Sequence, residues 1–254
     1  MNAGQPAARV EVLGVPVTPN TLDGAAAAVV RMVDSGVGDF VCITGAHGII
    51  LCQDDPDLLD IHRRAAMVTT DGMPLVWAVH RAGFRDASRV YGPDLMLEVC
   101  RRRVGTLRHF LYGSTPDVVG ALQRNLERMV PGLAVVGSHS PPFRPLSGEE
   151  LTAERELLRS ARPDLIWVGL STPKQERWMA ANVDHLDGAV LVGVGAAFDF
   201  HAGRKRQAPR WMQRAGLEWF FRMLSEPRRL GQRYLAVVPR FLWLTVRERM
   251  TERR

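Results

Sequence analysis

With 254 residues, 46% of them apolar and 24% charged, the chain has the composition of an ordinary soluble globular protein and is long enough to bury a full core. Its three cysteines, Cys42, Cys52 and Cys100, lack CxxC or Cys/His spacing, which argues against a disulfide framework or a structural zinc and for a reducing cytosol. The net charge of +6 is uneven: residues 1–200 sum to −4 and residues 201–254 to +10, so the basicity belongs to a tail suited to phosphate, on nucleic acid or at an anionic membrane surface.

The start, "MNAGQPAARVEVLG", has no basic segment followed by a long apolar stretch, and no apolar run approaches the roughly 20 residues that cross a bilayer. Neither secretion nor a membrane span is expected. In chain order, β-branched runs predict strands at 9–17, 40–44, 66–70, 108–113, 133–139, 164–170 and 189–195, with helices in the intervals. In one interval, "TPDVVGALQRNLERMV", Thr115 is the expected N-cap and Pro116 the first helical residue, with Val118, Leu122, Leu126 and Met129 on one face. Strands apolar on both faces and joined by helical crossovers imply an α/β, Rossmann-like, mostly parallel sheet with helices on both sides. A proline-rich loop, "SHSPPFRPLSGEE", precedes a helix starting near Ser147 or Gly148.

Strand signals stop near residue 203, dividing the chain into an α/β core, 1–203, and a helical basic appendage, 204–254, read as two helices separated at "SEPRR" with Pro227 as a start. In the last helix Arg233, Arg240, Arg247 and Arg254 recur every seven residues beside an apolar stripe of Tyr234, Val237, Phe241 and Leu244. Its longest apolar run, "YLAVVPRFLWLTV", is 13 residues, interrupted by Pro239 and Arg240 and too short to span. An amphipathic helix with Phe241 and Trp243 suits a membrane interface; an ordinary surface helix with solvated arginines is the alternative.

Ligands of open parallel sheets bind outside the carboxyl ends of the strands. There the unusual residues gather: Thr44, Asp71, "GSTP" (113–116), "GLSTPKQE" (169–176) and "GVGAAFDFHAG" (193–203). Asp71 has three readings, as a cap for the "MPLVWAVHRAG" helix, as a metal ligand, for which no partner lies at suitable spacing, and as a general base held at the rim. In "STPKQERWM", Ser171 or Thr172 caps a helix and Glu176 sits near the capping-box position, while Lys174 and Gln175 stand where a helix N-terminus attracts an anion. "GVGAAF" lacks the third glycine of a dinucleotide fingerprint, and P-loop, HExxH and GxSxG patterns are missing, so no nicotinamide or metal cofactor is expected. Asp199 and His201, two apart, read as a loop hydrogen-bond pair in preference to metal ligands.

Taken in order, "TTDGMPLVW", "RVYGPDLM", "VGLSTPKQERWM", "GVGAAFDFHAG" and "GLEWFFRMLSEPRRLGQRY" resemble the WecG/TagA/CpsF family of bacterial glycosyltransferases, over about residues 40–235. The resemblance implies transfer of a sugar from a UDP-linked donor, such as UDP-N-acetylmannosamine or a related hexose, to a polyprenyl-diphosphate-linked sugar in cell-surface polysaccharide synthesis. The enzyme would then be peripheral on the cytoplasmic face of the membrane. It matches Asp71 to the family's catalytic base, Thr44 to its strand-end threonine, Arg89 to the arginine before "GPDLM", Gln175 to the glutamine of "PKQE", and Arg222, Arg229 and Arg233 to appendage arginines that meet the acceptor diphosphate. Departures are Ala46 and His47 where an asparagine is usual two residues after the threonine, Ser88 in place of glutamate, and Gln207 in place of arginine.

Combined with the residues themselves, the resemblance implies an inverting displacement with Asp71 as base and Thr44 and Gln175 beside it. The donor would be held by Arg89, Lys174, Asp199 and the backbone at Gly113, Gly169 and Gly195, and the acceptor diphosphate or membrane by Arg222, Arg229 and Arg233. The rivals are a nucleotide-binding oxidoreductase or epimerase on the same sheet, and an RNA-binding protein, for which no RNP, KH or helix-turn-helix pattern appears. An exposed apolar surface on core or tail could be shared in a homo-oligomer.

Overall fold

The computed structural model describes residues 8–252, apart from the side chains at positions 210, 214, 229, 233, 249, 251 and 252. In chain order come β1 (Val10–Val12), β2 (Val15–Val17), α1 (Leu22–Ser35), β3 (Asp39–Thr44), α2 (Ala46–Asp54), α3 (Pro56–Arg64), β4 (Met67–Thr70), α4 (Met73–Arg81), α5 (Gly92–Cys100) and β5 (Arg108–Gly113). They are followed by α6 (Pro116–Met129), β6 (Ala134–His139), α7 (Gly148–Ala161), β7 (Leu165–Gly169), α8 (Lys174–Asn182), a 3-10 turn (Val183–His185), β8 (Val190–Gly193), α9 (Ala197–His201), α10 (Arg210–Arg214), α11 (Glu218–Ser225) and α12 (Pro227–Glu252).

Strands β3 to β8 make one parallel sheet in the order β4-β3-β8-β7-β5-β6. Because successive strand residues point to opposite faces, the apolar runs feed two cores. Phe40, Cys42, Phe110, Ile166, Val168 and Leu191 pack against α2, α3, α4, α7, α8 and α12 on one side. On the other, Val41, Leu111, Leu165, Trp167 and Val192 pack against α1, α5, α6 and α9. All six strands therefore present their carboxyl ends at one edge, which places the site.

Several local expectations change. The single strand at 9–17 is instead the hairpin β1–β2, with Val12 opposite Val15, outside the main sheet. Leu13 and Gly14 both have positive φ, 52° and 76°, the backbone of a primed two-residue turn; leucine at its first position hides the usual Asn-Gly signature. In α6 Thr115 stands at the N-cap without a side-chain cap bond, and the inward residues are Val119, Leu122 and Leu126, with Met129 exposed. Helix α7 begins as expected, on a full capping box between Ser147 and Glu150. The three cysteines are buried and free.

The C-terminal segment adds the short α10 to the two expected helices, and α12 starts at Pro227 and continues through Pro239. It carries two apolar stripes. Leu230, Val237 and Phe241 are buried, Leu244 packs beside the core, and Arg240 pairs with Asp54 of α2, so the stripe read from sequence faces the protein. Leu235, Leu242, Trp243, Val246 and Met250 are exposed, and at about 100° per residue they fall on the opposite side of the helix. Among the described residues no helix is long and apolar enough to cross a membrane.

Gly113 closes β5 at φ 123°, where a Cβ would sit 2.7 Å from the Gly169 carbonyl oxygen. Gly113→Ala combines left-handed strain with a backbone clash and should cost about 2–5 kcal/mol, measured as a lowered urea midpoint with unchanged slope.

Candidate active site

A cavity of about 1040 Å³ runs along the carboxyl edge of the sheet, between the strand-end loops, the proline-rich loop and helices α11 and α12. Asp71 stands on its floor. Its backbone N–H is bonded to the Thr44 carbonyl at 3.0 Å, and Gly45 crosses so close that a Cβ there would lie 2.6 Å from the Asp71 carbonyl oxygen. The adjoining helix α4 is not capped by Asp71: its N-cap is Gly72, at φ 113°, with no side-chain bond. The carboxylate is free to face the cavity, from which 31% of its side chain is reachable.

Among the described residues the nearest cation is Arg89, whose Nη2 lies 3.7 Å from Asp71 Oδ1, too far for a hydrogen bond. Burial pushes the Asp71 carboxyl up to about 6; Arg89 and Arg222 oppose this, while Glu218 and Asp94 reinforce it. The result is a carboxylate that is ionised at neutral pH and a stronger base than a surface aspartate, as a general base requires.

Thr44 is buried, and its hydroxyl lies 3.0 Å from His62 Nε2. His62 Nδ1 donates to the Leu58 carbonyl at 2.8 Å, so Nε2 is the acceptor and Thr44 the donor. Burial holds His62 below its usual range, keeping it neutral. The Thr44 proton therefore points into the core, and Thr44 reaches Asp71 through its backbone. Thr44→Val leaves the buried His62 Nε2 without a partner and should cost about 1–3 kcal/mol, read by urea unfolding, with Thr44→Ser largely retaining stability.

Gln175 is buried below the cavity, its Nε2 donating to Glu176 Oε1 and the Gly193 carbonyl, both at 3.1 Å. Two acceptors fix the amide's orientation and leave Oε1 without a partner among the described residues, beside Gly195. Helix α8 begins at Lys174, later than the expected Ser171 or Thr172 cap, and Thr172 bonds Glu176 directly at 2.8 Å. Lys174, Gly169 and Gly195 line the cavity; Gly113 does not, lying behind Gly169, with its neighbours Tyr112 and Ser114 at the wall. Asp199 lines it too, its carboxylate 2.9 Å from Lys205, while His201 Nε2 donates to the Pro93 carbonyl at 2.8 Å, so the two expected hydrogen-bond partners turn apart. Arg222 reaches the cavity with its guanidinium 5.9 Å from the Phe200 ring. The side chains of Arg229 and Arg233 lie outside the described residues.

The glycosyl transferase WecG/TagA/CpsF family model matches residues 10–254. The chain belongs to this family. Among its relatives are proteins of Staphylococcus aureus strains MW2, NCTC 8325 / PS 47 and MRSA252. Each is named N-acetylglucosaminyldiphosphoundecaprenol N-acetyl-beta-D-mannosaminyltransferase and is 27% identical over 247 residues, 93% of this chain and 91% of the relative. This WecG/TagA/CpsF chain is thus a glycosyltransferase, and the oxidoreductase and RNA-binding alternatives fall away.

Four residues of this glycosyltransferase that no motif marks, Gln213, Glu218, Tyr91 and Lys205, also line the cavity and bind its charged groups. Glu218 had one signal, a rare carboxylate in a segment of 14 Lys and Arg.

Proposed function

We propose that this enzyme transfers an N-acetylhexosamine, N-acetylmannosamine in the first instance, from a UDP-linked donor to an N-acetylglucosamine carried on a polyprenyl diphosphate. The reaction inverts the anomeric centre, with Asp71 as general base. The observation that carries this reading is the Asp71 carboxylate on the cavity floor, raised to about 6 by burial and, unlike Asp199 and Glu218 on the same walls, without a cation at hydrogen-bond distance or another side-chain hydrogen bond among the described residues. An acceptor hydroxyl loses its proton far above neutral pH. A carboxylate that receives the proton as the glycosidic bond forms lowers that barrier, and such catalysis contributes typically about 10²–10⁴-fold.

The leaving nucleotide diphosphate gathers negative charge, which Arg89, Lys174 and the backbone around Gly169 and Gly195 are placed to meet. Gln175, its amide held by the Gly193 carbonyl and packed beside Gly195, supports from below the loop that faces the donor. Arg222, with Arg229 and Arg233 on the same segment, serves the acceptor diphosphate, and the outer stripe of α12 rests in the membrane interface beside anionic headgroups. In this reading the enzyme works at the cytoplasmic face of the membrane, bound peripherally through the outer stripe of α12.

The test is turnover of UDP-N-acetylmannosamine with a short-chain polyprenyl-diphosphate N-acetylglucosamine. A lipid-linked disaccharide and UDP formed in equal amounts are expected. UDP release that ignores the acceptor would contradict the assignment.

A further inference from the structure

Arg89 is the cation nearest Asp71, yet its firm contacts are elsewhere. Its Nη2 hydrogen-bonds Glu218 at the start of α11, its Nη1 donates to Gln213 of α10 at 3.2 Å, and its guanidinium lies 4.0 Å from the centre of the Tyr91 ring. Both holding groups come from the C-terminal segment. That segment is seated closely: the turn between α10 and α11 passes at Gly216, φ 73°, where a Cβ would lie 3.2 Å from Met73 and Trp77 of α4, the helix that follows Asp71. The contacts that hold Arg89 and those that seat the segment on α4 thus belong to the same few residues, 213–218.

We propose that Glu218 is a positioning residue for the transfer reaction: by holding Arg89 it keeps the guanidinium from closing onto Asp71, so that the docked C-terminal segment leaves the base open to the acceptor hydroxyl. This rests on the reading of Asp71 as base. Without Glu218, the carboxylate nearest Arg89 is Asp71, and a shift of under 1 Å from 3.7 Å would make a charge-assisted hydrogen bond. A carboxylate so engaged is a weaker base, and one of its oxygens is covered. The other groups bearing on Asp71 are Arg222 of α11, Asp94 of α5 and the Tyr91 phenol beside Arg89, with His47 of α2 on the same cavity wall. None of these takes the place of Glu218 on the guanidinium. The appendage thus contributes an anion to the site as well as cations, and it couples seating of the tail to the competence of the base.

The experiment is the pH dependence of kcat/KM for the full chain and its Glu218→Gln variant, which keeps the size of the side chain and removes the charge that makes its hold on Arg89 stronger than the pull of Asp71. Losing the anion and gaining the Arg89 contact both favour ionised Asp71, so the acid limb should move to lower pH by about 1 unit while the plateau falls about tenfold or more. Glu218→Asp, with the charge restored, should move the limb back toward the wild type. A plateau that falls in Glu218→Gln with the acid limb unmoved would show a merely structural role and overturn the proposal, as would superimposable profiles. A variant with the wild-type limb in Glu218→Asp but too unstable to assay as Gln is judged on Gln213→Leu, which frees Nη1 and should displace the limb in the same direction; no displacement there overturns the coupling. Failure of the underlying reading looks different: a wild-type rate that survives Asp71→Asn removes both.

Discussion

Asp71→Asn is expected to lower kcat by about 10²–10⁴-fold while leaving donor affinity within a few-fold, because the amide keeps the shape of the carboxylate and loses only its ability to accept a proton. The wild type supplies the matching pH profile. Its base has to be ionised, so kcat/KM rises about tenfold per pH unit below the Asp71 value of about 6 and levels above it. In Asp71→Asn the limb disappears. Stability moves the opposite way. A carboxyl raised from 3.8 to about 6 by burial binds its proton more tightly in the folded protein, so above pH 6 the ionised group opposes folding. Well below pH 3.8 it is protonated in both states and contributes nothing. Asp71→Asn is therefore expected to be more stable than the wild type at pH 7.5, by up to about 3 kcal/mol, and equal to it near pH 3, which urea unfolding at the two pH values reports. Loss of rate with gain of stability separates a functional carboxylate from a structural one.

The second large effect concerns the outer stripe of α12. Leu235 and Leu242 are 73% and 59% exposed and share the side of the helix turned from the core. Replacing both with glutamate removes apolar surface from the interface and places anions beside anionic lipid, which together should weaken binding to vesicles containing anionic lipid by about 100-fold or more. Co-sedimentation with those vesicles measures it. The folded protein is expected to keep its unfolding midpoint, since neither side chain contributes to the core. Deleting the whole helix is a poorer test, because Leu230, Val237 and Phe241 would leave a core cluster uncovered. Unchanged vesicle binding of the double variant would remove this stripe from membrane association.

The parallel sheet was legible because its strands are short apolar runs separated by helical periods, and the strand-end rule then pointed at Thr44, Asp71, Gly169 and Gly195 without any tertiary information. Other features depend on contacts between distant segments. Periodicity finds the inner stripe of α12, but the side that meets the core is decided by the seat on α2 and the Arg240–Asp54 pair. The Thr44 hydroxyl reads as a cavity group until His62, 18 residues on, claims its proton. Gly113 looks like a phosphate loop and proves to be a close backbone approach to Gly169. Glu218 was hidden for the same reason: its partner Arg89 is 129 residues away, and only the fold joins them.

Asp71 acting as base in a single displacement requires the new bond to form on the face opposite the departing diphosphate. Nuclear magnetic resonance of the lipid-linked disaccharide made by the wild type, read at the anomeric carbon of the transferred sugar, measures this directly. The configuration opposite to that of the nucleotide donor is the expected result; the donor's own configuration in the product would contradict a one-step reaction on this carboxylate.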